Sequence, residues 1–216
     1  MLFPFMKIVP AILTDDPQDL ELKIRQTEAF SDIAQIDIMD GIFVPSKSIT
    51  ASDLAKIKTK LFLEAHLMVE KPIPEIIPFK EAGIKRIIFH FESQDNPQEA
   101  IALIHKEGLE VGLAINPGTE ISQISNFLDR IDLLLLMAVN PGFYGSRFIP
   151  AVLEKARRLC AKKGNYLLGL DGGVKAENIR KIKSAGIEIV YVGSGIFGKG
   201  IPEENFFLFL EKIKEV

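Results

Sequence analysis

Asp37 and Asp171 are the side chains best placed by sequence to move protons. In Gln35-Ile36-Asp37-Ile38-Met39, Asp37 alternates with two isoleucines, so an extended chain puts it on one face with Gln35 and Met39. Asp171 closes the run Leu168-Gly169-Leu170-Asp171. Carboxylates on opposite sides of a small carbon acid lying between them can remove a proton from one face and return one to the other, which inverts the carbon. Taken singly, each is equally well read as a salt bridge or a loop cap. His66 and His90 lie inside apolar runs, whereas His105 in Ile104-His105-Lys106 falls on a solvated helix surface. A strand histidine taken alone reads as a hydrogen-bonded core residue, and His90 is expected to be one. Beside aspartates on two other strand ends, His66 becomes a functional candidate.

Glycine-rich stretches supply a second kind of chemistry. Asn140-Pro141-Gly142-Phe143-Tyr144-Gly145-Ser146, Asp171-Gly172-Gly173 and Gly193-Ser194-Gly195 each follow an apolar run. Glycine leaves backbone N–H groups accessible, and three such loops converging on one quadrant are suited to a phosphate group. The spacing Gly193, Gly195, Gly198 matches a dinucleotide fingerprint, but no further strand follows to complete a βαβ unit.

The elements that must position these residues alternate strictly. Strand-length apolar runs are expected over 6–13, 33–38, 61–68, 86–91, 109–115, 133–139, 166–170 and 187–192. Helical periodicity is expected over 17–30, 52–58, 75–82, 97–107, 120–128, 149–163, 176–185 and 202–214, with Pro78 inside the third helix. Pro17, Pro97 and Pro202 stand near helix starts, and Gly83, Gly108, Gly164 and Gly186 follow helices where a left-handed residue is wanted. Eight strand–helix units without a linker predict one domain over 1–216, a single (β/α)8 barrel whose chemistry gathers at the strand ends. Going round such a barrel, strands two and seven are three steps apart, so Asp37 and Asp171 are expected on opposite sides of the mouth. On the last helix, one or two of Phe206, Phe207, Phe209, Leu210 and Ile213 are expected to face outward.

Composition bounds the rest. The chain has 216 residues, of which 47% are hydrophobic, and a net charge of -3, which excludes a disordered chain and argues against nucleic-acid or anionic-membrane partners. The apolar run 133–139 is far shorter than the ~20 residues of a membrane helix. The single cysteine, Cys160, excludes an internal disulfide and a cysteine-based zinc site, and at its helical spacing it is expected to be buried. No secretory signal is expected, because Lys7 interrupts the apolar start, and a reducing cytoplasm is the expected compartment.

Val9-Pro10-Ala11-Ile12-Leu13, Ile36-Asp37-Ile38-Met39-Asp40-Gly41-Ile42-Phe43-Val44-Pro45, His66-Leu67-Met68-Val69, Val139-Asn140-Pro141-Gly142-Phe143 and Asp171-Gly172-Gly173-Val174 together resemble the ordered motifs of ribulose-phosphate 3-epimerases. The resemblance implies a (β/α)8 barrel that interconverts ribulose 5-phosphate and xylulose 5-phosphate and forms homo-oligomers. It also implies a divalent metal (zinc, iron, manganese or cobalt) held by two histidines and two aspartates, the aspartates serving as proton acceptor and donor. Carried over by position, Asp37 matches the metal-binding acceptor, His66 the metal ligand and substrate contact on strand three, and Asp171 the metal-binding donor. Gly142, Phe143, Tyr144 and Gly145 match the loop that covers the substrate. Gly193 and Ser194 match a phosphate contact that Gly172 and Gly173 adjoin. Met39, Met68 and Met137 match methionines lining the reacting centre, and core packing accounts for them equally well.

The sequence departs from the family pattern at Gln35, where the first metal histidine falls, and at Ala11, Ile42 and Ala138, where a serine, a histidine and a serine fall. The covering loop also departs, reading Gly142-Phe143-Tyr144-Gly145-Ser146 where the family has Gly-Phe-Gly-Gly-Gln. An amide oxygen is a weaker ligand for zinc than an imidazole. Besides epimerisation, two other readings stay open: a different phospho-sugar reaction on the same scaffold, and phosphosugar binding without catalysis.

Overall fold

A computed structural model describes residues 6–140, 147–161 and 164–214. Eight parallel strands close into one barrel in chain order: β1 Lys7–Ile12, β2 Ile33–Met39, β3 Phe62–Met68, β4 Arg86–His90, β5 Glu110–Ile115, β6 Leu133–Met137, β7 Leu167–Asp171 and β8 Ile189–Val192. The helices are α1 Pro17–Thr27, α2 Ala51–Leu54, α3 Ile73–Glu81, α4 Pro97–Lys106, α5 Ile121–Ile124, α6 Val152–Cys160, α7 Ile179–Ser184, α8 Ser194–Phe197 and α9 Pro202–Lys214, with a 3-10 turn over Ser125–Arg130 after α5. The fold is therefore the expected (β/α)8 barrel, with α8 as an added helix.

Local chemistry explains where the helix bounds differ from expectation. Asp16 and Asn96 accept the backbone N–H two residues on and start α1 and α4 immediately before Pro17 and Pro97. Thr50 and Asp53 form a capping box that starts α2 at Ala51, and this helix is only four residues long. The run 120–128 is helical only over Ile121–Ile124 before it tightens into the 3-10 turn. In α3 the chain enters helix at Ile73, and Pro78 is accommodated inside it. Gly83, Gly108 and Gly186 take the left-handed conformation expected of them, and Gly164 does not. Cys160 is exposed rather than buried, because Leu153, Ala156 and Leu159 supply the inward stripe of α6. On α9, Phe206, Phe209 and Ile213 face the barrel, while Phe207 and Leu208 are exposed.

Two layers of core result. Residues such as Ile36, Leu67, Leu113 and Leu168 point outward from the strands against the helices. The alternate residues Val9, Ala11, Ile33, Ile88, Ala114, Leu133, Leu135, Met137, Ile189 and Tyr191 fill the barrel. Below this apolar belt, on the same faces of β3, β4 and β5, Arg86 Nε donates to Glu110 Oε2 (2.9 Å), and its Nη atoms pair with Glu64 and Glu110. Burial pushes the Glu64 carboxyl up, against the pull of Arg86. Arg86→Met is therefore expected to strand Glu64 and to destabilise the fold by about 3–5 kcal/mol. The Glu64→Leu/Arg86→Met double variant should recover most of that loss. Urea unfolding checks both, and a single variant within about 1 kcal/mol of the parent would refute the account.

Candidate active site

Strand register brings the polar residues together at the C-terminal end of the barrel. Gln35 and Asp37 lie on β2, Asp37 is directly opposite His66 on β3, and Asp171 ends β7 beside Met137 and Tyr191. Strands β2 and β7 are three steps apart, as expected. Their carboxylates do not stand apart, however. Gln35 Nε2 donates to Asp37 Oδ1 and to Asp171 Oδ2, each at 2.9 Å. His66 Nδ1 is 3.1 Å from Asp37 Oδ1 and 3.5 Å from Asp171 Oδ2. The two inner oxygens, bridged by one amide nitrogen, leave no room for a substrate between them, whereas the outer oxygens, Asp37 Oδ2 and Asp171 Oδ1, take no part in these contacts. A substrate therefore meets the pair at its outer oxygens. The side chains of Asp37 and Asp171 keep 13% and 14% exposure toward the mouth, whereas His66 has none.

The charges in this cluster depend on one another. Burial pushes Asp37 up to about 6, with the Asp171 charge adding to it and the hydrogen bonds of His66 and Gln35 opposing. Burial disfavours the charged His66 ring, but the hydrogen bonds of Asp171 and Asp37 outweigh it and hold His66 at about 9. Behind it, His90 is buried, with Nε2 3.0 Å from His66 Nε2 and Nδ1 3.3 Å from Glu92 Oε2. Burial pushes His90 down to about 4, with Glu92 resisting. His90 is thus the hydrogen-bonded core histidine expected, but its partner is the histidine of the site. Only the alignment of neighbouring strands shows this.

Asp37, His66 and Asp171 offer an oxygen, a nitrogen and an oxygen within 4.8 Å of one another, a donor set that could hold a divalent cation. The buried Gln35 amide agrees with that. Its Oε1 has no hydrogen-bond partner among the described residues, and turning the amide over brings an oxygen to the place where Nε2 now bridges the carboxylates. The residues therefore fit such a cation, with Gln35 as a weak fourth donor.

Around the site, Met39 and Met68 pack with Val44, Leu13 and Phe43, and Met137 belongs to the barrel interior. Asp40 accepts the backbone N–H groups of Ile42, Phe43 and Glu70, which ties the loop after β2 over the mouth and sets the Phe43 ring 4.9 Å from that of His90. Ala11 and Ala138 are buried, and Ile42 is exposed. On the far side, Gly172 and Gly173 both take positive φ, and a Cβ on Gly173 would lie 2.9 Å from the Phe148 backbone nitrogen. Gly193 caps the short helix α8 that begins at Ser194. The expected covering residues Gly142, Phe143, Tyr144 and Gly145 lie outside the described residues.

Fold and site together define a (β/α)8 barrel with two carboxylates and an imidazole at the C-terminal end of its strands. Similar solved structures include 3-hexulose-6-phosphate synthase from Salmonella typhimurium (TM-score 0.75, 14% identity, 97% of this chain and 99% of that one). Another is 3-keto-L-gulonate-6-phosphate decarboxylase from Vibrio cholerae (TM-score 0.72, 13% identity, 98% of each chain). At such identity they speak for the fold alone. Residues 7–197 match the model of the ribulose-phosphate 3 epimerase family, and the chain belongs to that family. Relatives include ribulose-phosphate 3-epimerases of Aquifex aeolicus (38% identical, 88% of this chain and 89% of that one) and Chlamydia trachomatis (36%, 89% and 86%). The cytoplasmic isoform from Oryza sativa is 36% identical over 92% of this chain and 90% of that one.

Gln35→His is expected to raise affinity for zinc. Changing a group one step behind a ligand already moves metal affinity 10- to 100-fold, so an added imidazole should raise it by about tenfold or more. Competition with a chromophoric chelator measures it. Unchanged affinity would mean that the site is not otherwise preserved.

Proposed function

We propose that this chain interconverts D-ribulose 5-phosphate and D-xylulose 5-phosphate by inverting carbon 3. The observation that carries this reading is the convergence of Asp37 and Asp171 from opposed strands onto one point of the mouth, each partly open to it. Asp37, ionised, takes the proton from carbon 3. The C–H electron pair moves toward the carbon 2 carbonyl and leaves an enediolate. With carbon 3 seated between the outer oxygens, Asp37 Oδ2 and Asp171 Oδ1, Asp171 acts as the donor and delivers a proton to the face opposite Asp37, and the carbonyl re-forms. In the reverse direction the two carboxyl groups exchange roles.

Two groups prepare this pair. Gln35, donating to both carboxylates, and His66, within reach of both, hold the oxygens toward a single locus and offset their mutual repulsion. The apolar collar of Met39, Met68 and Phe43 limits water at the reacting carbon. A divalent cation of the zinc, iron, manganese or cobalt class, held by Asp37, His66 and Asp171, would supply Lewis-acid stabilisation of the enediolate when bound. Gly172, Gly173, Gly193 and Ser194, on the adjacent ends of β7 and β8, receive the phosphate through backbone donors. Gly142, Phe143, Tyr144 and Gly145 cover the sugar.

The reading includes one domain over 1–216, homo-oligomers and a cytoplasmic setting. Two facts accompany it: Phe207 and Leu208 on α9 are exposed, and no helix among the described residues is long and apolar enough to cross a membrane.

Asp37→Asn and Asp171→Asn are each expected to lower turnover by about 10²- to 10⁴-fold with the fold intact. In heavy water the parent should place deuterium at carbon 3, read by proton NMR. Turnover at the parent rate in either variant would refute the two-carboxylate scheme. Phosphate recognition is tested separately by calorimetry with ribulose 5-phosphate and ribulose. The phosphorylated sugar should bind more tightly, and Gly193→Leu should weaken it alone; equal affinity of the two sugars overturns the phosphate assignment.

A further inference from the structure

His90 and Glu92 take no part in the proposed proton transfer, yet they form a continuous polar line from the site to the ends of β4 and β5. His66 Nε2 faces His90 Nε2 at 3.0 Å, and His90 Nδ1 faces Glu92 Oε2 at 3.3 Å. The other oxygen of Glu92 accepts the backbone N–H of Asn116 at 2.8 Å and the hydroxyl of Thr119. Both histidines are fully buried, so no solvent relieves a mismatch of donors and acceptors.

The donors and acceptors along this line determine its polarity. A carboxylate oxygen only accepts, so His90 Nδ1 carries the proton that faces Glu92. A neutral imidazole then has a lone pair on its other nitrogen, so His90 Nε2 accepts. The nitrogen opposite it, His66 Nε2, must therefore be the donor. His66 Nδ1 faces the oxygens of Asp37 and Asp171, which also only accept, so without a cation it carries a proton as well; it is the ring nitrogen whose proton a cation at those oxygens would displace.

We propose that His90 and Glu92 are positioning residues that hold a proton on His66 Nε2 and so leave Nδ1 as the ring nitrogen that faces the two aspartates and, on giving up its proton, a divalent cation. The assignment of the proton stands on these contacts alone. Its consequence for the cation rests on the reading of Asp37, His66 and Asp171 as ligands. Carboxylate or carbonyl groups behind a metal-bound imidazole act in this way in general, and here a second imidazole is interposed.

Glu92→Gln tests the line with almost no change of volume. Its amide oxygen must stay toward the Asn116 N–H, so its NH2 group faces His90 Nδ1 and turns that atom into an acceptor. His90 Nε2 must then donate and His66 Nε2 must accept, so His66 keeps a proton on Nδ1 alone. In the full-length, metal-stripped protein with 15N-labelled histidine, the parent should show a protonated His66 Nε2 and a bare His90 Nε2. Glu92→Gln should show the reverse, with exposed His105 as an internal reference. Zinc affinity should fall about 10- to 100-fold in this variant.

His90→Gln keeps the original polarity, because its carbonyl can accept from His66 while its NH2 donates to Glu92. It should bind zinc within about threefold of the parent, by the same scale of effects. His90→Phe removes both contacts and should lose as much affinity as Glu92→Gln. A parent spectrum with a bare His66 Nε2 overturns the proposal. So do unchanged protonation in Glu92→Gln and equal zinc affinity of His90→Gln and His90→Phe. Reversal of protonation with unchanged zinc affinity would support the positioning line and refute the cation reading instead. If Glu92→Gln fails to fold, the parent spectrum and the His90 pair still decide.

Discussion

Two carboxylates brought within 4.8 Å of each other inside a barrel repel, and the rest of this site is arranged around that repulsion. In water such a pair would be screened and inexpensive. At the end of a closed barrel it has to be answered by positive or donor groups held at fixed positions. Gln35 and His66 answer it, one with an amide NH2 group bridging both oxygens and the other with a ring nitrogen near both. The same arrangement that makes the pair tolerable makes it usable, because a carboxylate pushed up toward neutrality is a better proton acceptor than an ordinary one.

The polar line does not end at the aspartates. From Asp37 it passes through His66 and His90 to Glu92, and there it is tied to the backbone of β5's outgoing loop. The opposite end of the barrel holds a second polar group, Glu64, Arg86 and Glu110, separated from the first by the belt around Ile88, Ala114 and Leu135. The barrel is thus an apolar ring between two buried electrostatic clusters. The lower cluster consists of an arginine with two carboxylates and holds the strands. The upper one holds Asp37 and His66 pushed up and His90 pushed down from their ordinary values, which suits chemistry better than support.

The resemblance to the family puts a histidine where this chain has Gln35. A histidine there would add a ligand; a glutamine instead supplies donors to both carboxylates while keeping, in the same buried space, a carbonyl oxygen without a partner among the described residues. One side chain can therefore present either a donor or an acceptor to the same locus by turning over its amide. Family membership rests on motifs spread along residues 7–197 and does not depend on this position.

Much of this was legible in the sequence. The succession of short apolar runs, each followed by helical periodicity and repeated through eight units, specifies parallel strands in a barrel, because each such run must be buried on both faces. It also places Asp37, His66 and Asp171 at strand ends, since these are local properties. Helix bounds were less legible, because a capping box at Thr50 or a tightening at Ser125 depends on single side chains rather than on periodicity. The exposure of Cys160 illustrates the same limit: helical spacing permits either Leu159 or Cys160 to face inward, and only packing selects Leu159. Tertiary structure alone decided that Asp37 and Asp171 converge under one amide, and that His90 stands against His66. Strand counting gives the angle between strands around a barrel, but it does not give the reach of side chains toward its axis. That reach, with the inter-strand register, is fixed by contacts between residues far apart in the chain.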